Sequence, residues 1–394
     1  MVLSINSNIM IGRLKINNFK SHKDTEISLG NLTVLTGVNG CGKTSLIQAL
    51  LLLRQSFLKN RLSNGLDLNT PLCSVGIAHD ALYALADDSK ISFEIDTDAE
   101  GAFHFVFDID KGFDESFIKK YSYNENAMSQ ELLGRLSLFN NEFQYVSALR
   151  WGGKSSFPKD TYAVENQRQI SLNEGKGELV AHFLDRYGRD DVANYYDDEE
   201  NDDLSLLQQT IYWEQKISPR VTIDVESGKD NQSYNVIYGF EGEDELTKPI
   251  RGLRAENVGF GISYTLPVIV ALLSARSGAL VILENPEAHL HPDGQAEMAR
   301  LMAKVARNGV QVIVETHSDH IINGVQLACK EYARNSERGL DKSLVRMYFL
   351  HNKEKHASQV DTITIKDDGL LENQPKGFFD RMEADAFKLY SIEE

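Results

Sequence analysis

Short alternating or continuous apolar runs in the first 110 residues predict β-strands. Two of these runs, at 91–95 and 103–107, alternate strictly around a turn at Glu100 and Gly101. This arrangement predicts an antiparallel hairpin with one buried face. The other runs predicted as strands in this part are 11–16, 24–29 and 32–35.

The pattern changes along the rest of the chain. Residues 111–215 are polar and mostly helical in pattern, apart from a strand-like run at 143–146. A second hairpin is predicted over 221–225 and 233–238. From residue 259 short apolar runs alternate with helix-length segments, which is typical of an α/β layout. The predicted helices are 264–274, 294–308 and one that starts near Asp319, and the predicted strands are 279–283 and 310–315.

These patterns together predict one α/β head with a mixed β-sheet core, divided into three parts. An N-terminal lobe over 1–110 carries an antiparallel β subdomain. A mostly helical insertion with an acidic loop follows over 111–215, and a C-terminal lobe occupies 216–394.

Composition sets outer bounds on the class of protein. The 394 residues are 42% hydrophobic and 25% charged, which is ordinary for a globular protein. No apolar run reaches the roughly 18–20 residues that a membrane span needs, and residues 1–10 do not resemble a signal peptide. Cys41, Cys73 and Cys329 are odd in number and far apart, which predicts neither a disulfide framework nor a zinc site. We therefore expect a cytoplasmic protein that does not contact a membrane.

The net charge of −17 bears on the choice of partner. Binding to duplex DNA rests on basic surface, so this charge disfavours a protein that mainly binds nucleic acid, although a local basic patch stays possible. Much of the acidity falls in one run over 190–203. Such a run is typical of a solvated or disordered loop, and a docking site for a basic partner is the alternative.

One glycine-rich segment carries the clearest chemistry. Residues 37–44 match the P-loop pattern G-x-x-x-x-G-K-[ST], between the apolar run at 32–35 and a helical run at 45–53. In a strand–loop–helix context, backbone N–H groups at a helix N-terminus surround phosphate groups. Lys43 is expected to reach the β- and γ-phosphates, and the Thr44 hydroxyl to ligate Mg²⁺. The predicted ATP contacts in this segment are Gly37, Asn39, Gly40, Cys41, Gly42, Lys43, Thr44 and Ser45.

Two further predicted strands end in polar residues that can bind a metal or take part in catalysis. The apolar strand before Glu284 ends in a carboxylate that can hold Mg²⁺ directly or through water, and Glu287 follows closely. The strand at 310–315 leads to Thr316, His317 and Ser318. We predict that His317 contacts the γ-phosphate and the attacking water, and the alternative is a structural hydrogen bonder. Glu284, Glu287 and His317 are the candidate catalytic residues, and Thr44 with Glu284 are the candidate Mg²⁺ ligands.

These motifs together resemble the ABC-type ATPase heads of the SMC, RecF and OLD groups. Residues 16–21 and 32–44 are similar to the "I-x-N-F-K-S … G-x-N-G-x-G-K-T" pattern of those heads. Residues 284–292, Glu-Asn-Pro-Glu-Ala-His-Leu-His-Pro, are similar to their D-E-P-E-x-x-L-H-P segment. Residues 316–318 are similar to their T-H-S switch.

A closer resemblance is to free-standing bacterial AAA-type ATPases found in anti-phage defence systems of the Septu-like, PARIS-like and retron-associated kinds. It rests on Asn-Val-Gly-Phe-Gly-Ile-Ser at 257–263, Leu-Pro at 266–267 and Pro-Lys-Gly-Phe-Phe-Asp at 375–380. The resemblance extends from near the N-terminus to about residue 385, so it covers almost the whole chain.

The resemblance implies a dimer in which two heads pair head-to-tail and bury two ATP molecules. Residues 257–263 then stand where such heads carry their signature loop, which contacts the γ-phosphate held by the other protomer. The alternative is a helix N-cap with no ligand. The ATP-binding residues that the resemblance adds are Asn257, Gly259, Gly261 and Ser263 in that loop, Lys20 and Ser21 near the N-terminus, and Arg150 near the place of the glutamine loop.

One departure from the family pattern bears on catalysis. SMC-type heads have Asp-Glu at the end of the strand that corresponds to 279–283 here. This chain has Glu284 followed by Asn285 at that place. Asn has no carboxylate to act as general base, so either Glu284 serves both metal and water or Glu287 takes the second role. We predict slow hydrolysis. ATP would then act mainly as a ligand that holds two protomers together, and less as an energy source for rapid cycles.

The expected function follows from what the motifs include and lack. The segment after His317 is too short for a Toprim nuclease of the OLD kind, and the middle region lacks the heptads of an SMC coiled coil. We expect an ATP-gated dimer, or a higher homo-oligomer, that scaffolds or regulates a separate nuclease or toxin in anti-phage defence. This assignment is an analogy with the resembling systems. The alternative is a DNA repair or chromosome-maintenance ATPase that acts on DNA ends, and a transporter ATPase is a weaker third.

Overall fold

The computed structural model describes residues 9–97, 101–109, 114–120, 130–192, 203–242, 248–352, 356–375 and 377–378. Glu100 of the first predicted turn, residues 193–202 of the acidic segment, and 376 and 379–380 of the C-terminal motif lie outside these ranges. None of the described helices is both long and apolar enough to cross a bilayer.

Three sheets and the helices around them make up the described chain. The strands are β1 Arg13–Phe19, β2 His22–Ser28, β3 Leu32–Gly37, β4 Gly65–Asp67, β5 Lys90–Thr97, β6 Gly101–Asp108, β7 Phe117–Lys120, β8 Phe143–Val146, β9 Ser156–Pro158, β10 Val221–Ser227, β11 Ser233–Phe240, β12 Ile250–Arg254, β13 Leu280–Glu284, β14 Gln311–Glu315, β15 Val345–His351, β16 Gln359–Ile365 and β17 Leu371–Glu372. The helices are α1 Lys43–Leu58, α2 Ala78–Ala81, α3 Gln130–Leu133, α4 Val180–Tyr187, α5 Leu206–Ile217, α6 Phe260–Ser274, α7 Pro292–Arg307 and α8 Asp319–Arg334. A π-helical turn spans Tyr162–Asn166, and 3₁₀ turns span Ala255–Asn257 and Lys342–Leu344.

The central sheet has seven strands in the order β17-β16-β15-β3-β14-β13-β8. The five strands from β15 to β8 are parallel, and β16 and β17 continue the sheet in antiparallel fashion. Strands β13 and β14 are buried along their whole length, which explains their continuous apolar runs. The strands predicted at 32–35, 143–146, 279–283 and 310–315 and the mixed core are thereby confirmed.

A six-stranded antiparallel sheet, in the order β2-β1-β5-β6-β7-β4, covers α1. The predicted hairpin is confirmed as β5 and β6, with Phe93 opposite Phe105. Alternate residues of these strands are buried, and they share one apolar core with the leucines of α1. Helix α1 is therefore held between this sheet and the central one.

A smaller sheet joins β10, β11 and β12, with β9 paired to β11. It confirms the hairpin predicted over 221–225 and 233–238. Helices α4 and α5 pack against it, and α5 also packs against α6 and α7. The fully buried Trp213 of α5 lies in this part of the core.

The region 111–215 mixes helices with strands that belong to all three sheets. β7 pairs with β4 and β6, β8 is the edge strand beside β13, and β9 pairs with β11. The division at 110 and 215 stays a prediction. Short strands such as β7 and β9 form because a partner strand is available, which the local pattern does not reveal.

A buried glutamine joins the segment before β1 to the central sheet. The Gln311 side-chain amide donates to the Ile11 carbonyl over 2.7 Å, and its oxygen accepts from the Ile11 N–H over 3.1 Å. The Gln311 side chain is buried at the start of β14. It satisfies both backbone groups of Ile11 where water is excluded.

We predict that Gln311→Leu destabilises the protein by about 2–4 kcal/mol, because it leaves two buried backbone groups without a partner. Urea unfolding followed by circular dichroism measures this loss. Gln232→Leu is the matched control, because Gln232 is exposed and its replacement should change the free energy of unfolding by less than about 0.5 kcal/mol. Equal effects of the two substitutions would contradict the role of Gln311.

Candidate nucleotide-binding site

The glycine loop lies between the end of β3 and the start of α1, which begins at Lys43. Gly42, just before the helix, has a left-handed φ of 101°. A Cβ atom at this position would lie 2.6 Å from Ser21 Oγ and 2.7 Å from His22 Nε2. Only glycine fits here, because both the backbone angle and the close approach of the β1–β2 turn exclude a side chain.

His22 and Ser358 support the loop from behind, and neither is predicted from the sequence. His22 Nε2 lies 3.0 Å from the Gly42 carbonyl, and His22 Nδ1 lies 2.9 Å from Thr25 Oγ1. Since a carbonyl only accepts, the proton of the neutral ring lies on Nε2. Ser358 Oγ donates to the Cys41 carbonyl over 2.7 Å. These bonds fix the carbonyls of Cys41 and Gly42 in the loop.

A cavity of about 440 Å³ opens along the other side of the loop. It brings together residues from the glycine loop, the β1–β2 turn and the end of β14. The lining residues are Lys20, Ser21, Asn39, Gly40, Gly42, Lys43, Thr44, Ser45, Glu315 and His317. All of these except Glu315 are sequence-predicted site residues. Gly37 and Cys41 belong to the loop but are not among the lining residues, and Cys41 is buried beneath it.

Two ammonium groups face this cavity. Lys43 Nζ donates to the carbonyls of Gly37 and Val38 over 3.1 and 3.0 Å, so it lies folded into its own loop. Lys20 Nζ donates to Gln48 Oε1 over 2.8 Å, and burial lowers the pKa of Lys20. The positive end of α1 points to the same place. The cavity therefore favours an anion.

Glu315 is the carboxylate that lines the cavity. Both of its oxygens accept from Thr44 Oγ1, over 3.0 and 2.9 Å. Burial and the neighbouring Glu284 raise the pKa of Glu315 to about 7. Sequence reasoning misses Glu315, although the buried strand β14 ends in a carboxylate in the same way as β13.

Glu284, the predicted metal and catalytic residue, is turned toward β8. Its Oε1 accepts from the Tyr145 hydroxyl over 2.9 Å, and its Oε2 accepts from the Ala148 N–H over 3.1 Å. Burial raises the pKa of this carboxyl group, against the effect of those two hydrogen bonds. Glu284 pairs in register with Glu315 but is not among the residues that line the cavity.

Glu287 lies behind the switch histidine. Glu287 Oε1 accepts from the backbone N–H of His317 over 2.9 Å, while its Oε2 is buried with no hydrogen-bond partner among the described residues. The His317 ring is exposed at the cavity, and partial burial together with Lys43 lowers its pKa. Glu287 therefore positions the chain at His317, and the neutral His317 ring faces the cavity.

Arg150, a predicted ATP contact, is not among the residues that line the cavity. The guanidinium is buried and donates to the carbonyls of Tyr264, Glu284 and Asn285 over 2.8–2.9 Å. It also lies over the Tyr264 ring, 4.0 Å from the centroid. Its donors are thus used within the protein, where Arg150 joins the end of β13 to α6, and its contact with ATP stays a prediction.

The predicted signature residues divide into two groups. Asn257 and Gly259 are exposed just before α6. A Cβ atom on Gly261 would lie 2.7 Å from the His289 carbonyl, so a packing contact explains this glycine. Ser263 is buried, donates to the Phe260 carbonyl over 3.1 Å and accepts from the Gly153 N–H over 2.8 Å. Asn257 and Gly259 are therefore the two that stay open to a ligand.

A glycine loop between the central strand of a mixed sheet and a helix, followed by two strands that end in carboxylates, defines a P-loop NTPase head of the ABC type. Solved structures confirm this fold. One Smc head bound to the C-winged helix domain of ScpA is 13% identical, with a TM-score of 0.54, over 90% of this chain and 98% of that one. An Smc head domain with an extended coiled coil, bound to the C-terminal domain of ScpA derived from Pyrococcus furiosus, is 11% identical, with a TM-score of 0.51, over 97% and 100%.

The chain belongs to the family described as "AAA domain, putative AbiEii toxin, Type IV TA system", which matches residues 32–323. Residues 340–389 match a second family, "Protein of unknown function (DUF3696)". An OLD nuclease from Thermus scotoductus is 25% identical over 338 residues, which are 78% of this chain and 59% of that protein. The chain thus spans less than two thirds of the length of this relative. The resemblance to SMC and OLD ATPases is confirmed.

The buried His22 generates a prediction about acid stability. Burial lowers the pKa of His22 from 6.5 to about 4. Between these values the unfolded chain binds a proton that the folded chain does not, so stability falls as the pH falls through this window. Between pH 7.5 and 5 we expect this residue to account for a loss of about 2 kcal/mol.

Urea unfolding of the wild type and His22→Gln at both pH values measures this effect. The glutamine amide can still donate to the Gly42 carbonyl, but it does not titrate. The wild type should therefore lose about 2 kcal/mol more than the variant on acidification. Parallel losses in the two proteins would refute the buried neutral histidine.

Proposed function

We propose that this protein binds ATP with Mg²⁺ in the cavity, dimerises around the nucleotide and hydrolyses it slowly, and that this cycle regulates a separate effector. The observation that carries the proposal is the composition of the cavity. A glycine loop, two lysines, a threonine–carboxylate pair and a histidine line one space of about 440 Å³. These are the groups that bind a triphosphate in P-loop NTPases.

The oxygen groups in the cavity suit Mg²⁺. The Thr44 hydroxyl and the Glu315 carboxylate are hard ligands beside the place where phosphates bind. When bound, Mg²⁺ would neutralise charge on the phosphate oxygens. No group of three His, Cys, Asp or Glu side chains placed to hold a metal occurs in the described part of the chain, so nucleotide oxygens and water would complete the coordination.

The side chains at the cavity have different roles in binding and hydrolysing the nucleotide. Lys43 exchanges its bonds to the loop carbonyls for bonds to phosphate oxygens. His317 stays neutral near pH 7 because its pKa is lowered, and its ring can donate to the γ-phosphate or hold the attacking water. Asn285 offers no carboxylate for this water. We therefore expect fewer than about ten turnovers per second.

The surface near the site supports pairing of two copies. Asn257 and Gly259 precede α6, whose positive end can meet the phosphate held by a partner protomer. Three large apolar side chains, in the glycine loop, after β8 and at the start of α6, are exposed: Val38 by 46%, Leu149 by 70% and Phe260 by 46%. Val38 lies in the glycine loop and Leu149 follows the backbone group bound by Glu284. We expect pairing to cover these three exposed side chains.

The effector remains a proposal by analogy. The family description names a toxin, and the relative from Thermus scotoductus is a nuclease of which this chain spans 59%. We propose that a nuclease or toxin on another polypeptide is the regulated partner, in cytoplasmic anti-phage defence. The alternative is a DNA repair or chromosome-maintenance ATPase, which the Smc-head fold favours and the net charge of −17 disfavours. DNA-stimulated, salt-sensitive ATPase activity would favour the alternative.

Light scattering after size exclusion tests nucleotide-dependent pairing. We predict that the wild type doubles its mass with Mg²⁺ and ATP, and that Lys43→Ala, which removes the phosphate-binding cation, does not. Gly259→Asp should bind ATP but stay monomeric, because its carboxylate would face the partner's phosphate. Gly259 has an ordinary φ and open space around a Cβ atom, so this substitution is not expected to disturb the fold.

Lys119→Ala is the matched control, since Lys119 is exposed on β7, away from the cavity. It should pair like the wild type. ATP-dependent pairing of Gly259→Asp at the wild-type level would contradict the proposed interface.

A further inference from the structure

We infer that Glu315, together with Thr44, is the carboxylate that holds the Mg²⁺ of the bound nucleotide, and that Glu284 positions the neighbouring chain instead. This inference rests on the proposed binding of ATP in the cavity. It assigns the metal to a different strand from the one that the sequence motif predicts.

The strand order places Glu315 closer to the glycine loop. β14 lies between β3 and β13, with Glu315 opposite Leu35 on one side and opposite Glu284 on the other. Adjacent strands are about 4.8 Å apart, so Glu284 lies one strand further from the loop than Glu315. The carboxylate at the end of β14 is therefore the one that contacts Thr44.

The hydrogen bonds of the two carboxylates also favour Glu315 as the metal ligand. Both oxygens of Glu315 are directed at the hydroxyl of Thr44, the residue whose side chain ligates Mg²⁺ in P-loop proteins. Both oxygens of Glu284 are used by Tyr145 and the Ala148 N–H. A Mg²⁺ ion would bind the Thr44 hydroxyl oxygen and a Glu315 oxygen, with the hydroxyl keeping its proton and turning it away from Glu315. The Glu284 contacts would not have to break.

Glu284 already has a structural role in its present position. Its side chain holds the start of the segment after β8, and its backbone carbonyl accepts from Arg150 over 2.9 Å. Arg150 also binds the carbonyl of Tyr264 in α6. Turning Glu284 toward the cavity would leave the Tyr145 hydroxyl and the Ala148 N–H without these partners. The loss at the buried Tyr145 hydroxyl alone would cost about 1–3 kcal/mol.

A site with only Thr44 and Glu315 is incomplete without nucleotide. Mg²⁺ is usually bound through one or two protein oxygens, phosphate oxygens and water. We therefore expect Mg²⁺ to raise the affinity for ATP, and this increase to depend on Glu315. The increase, which we call the Mg²⁺ effect, is the ratio of the dissociation constants for ATP measured in EDTA and in excess Mg²⁺.

Titration calorimetry with ATP in EDTA and in excess Mg²⁺ measures this ratio for the wild type, Glu315→Gln and Glu284→Gln. We expect a wild-type Mg²⁺ effect of about tenfold or more, which corresponds to at least about 1.4 kcal/mol. Glu315→Gln should lose most of it, while its affinity in EDTA stays within about threefold of the wild type. Glu284→Gln should keep most of the Mg²⁺ effect, whatever happens to its hydrolysis rate.

Thermal unfolding in EDTA checks that each variant is folded. Should Glu315→Gln fail to fold, Glu315→Asp is compared with Glu284→Asp, and only the former should lose part of the Mg²⁺ effect. A loss confined to Glu284→Gln, equal losses in both variants or no Mg²⁺ effect in a wild type that binds ATP would overturn the inference. A wild type that binds no ATP in either condition would reject the proposed function as well.

Discussion

The parallel pairing of β3, β14 and β13 is the constraint on which the site depends. It sets Leu35, Glu315 and Glu284 side by side at the carboxyl edge of the sheet. The glycine loop leaves β3 at this edge, so Glu315 and the His317 segment lie beside it, while Glu284 lies one strand further away. A shift of one residue in either pairing would turn these side chains to the opposite face of the sheet.

A second layer of contacts holds this edge in place. His22 and Ser358 fix the carbonyls of the loop, and Glu287 fixes the backbone of His317. Arg150 connects the end of β13 to α6, the helix that follows the exposed Asn257 and Gly259. The site and the surface proposed for pairing are therefore parts of one hydrogen-bonded unit. In the proposed clamp, these contacts would connect a change at the nucleotide to the pairing surface.

The sequence predicts the central strands well because they are buried on both faces and consist of uninterrupted apolar residues. It also predicts most residues of the cavity, because the glycine loop has a fixed spacing. Contacts between segments that are distant in the sequence are not predicted in this way. Nothing near Arg150 in the chain indicates that its partner is the Tyr264 carbonyl, and nothing near His22 indicates that it supports Gly42. Glu315 is different, because the strand-end pattern applied to Glu284 applies equally to it.

We propose that the cavity at this edge binds a nucleoside triphosphate. A structure determined with Mg²⁺ and a non-hydrolysable ATP analogue at saturating concentration would locate the phosphates. We expect density for three phosphates along Gly40 to Thr44, between the Lys43 and His317 side chains. Nucleotide bound elsewhere, with this cavity left free of phosphate, would contradict it.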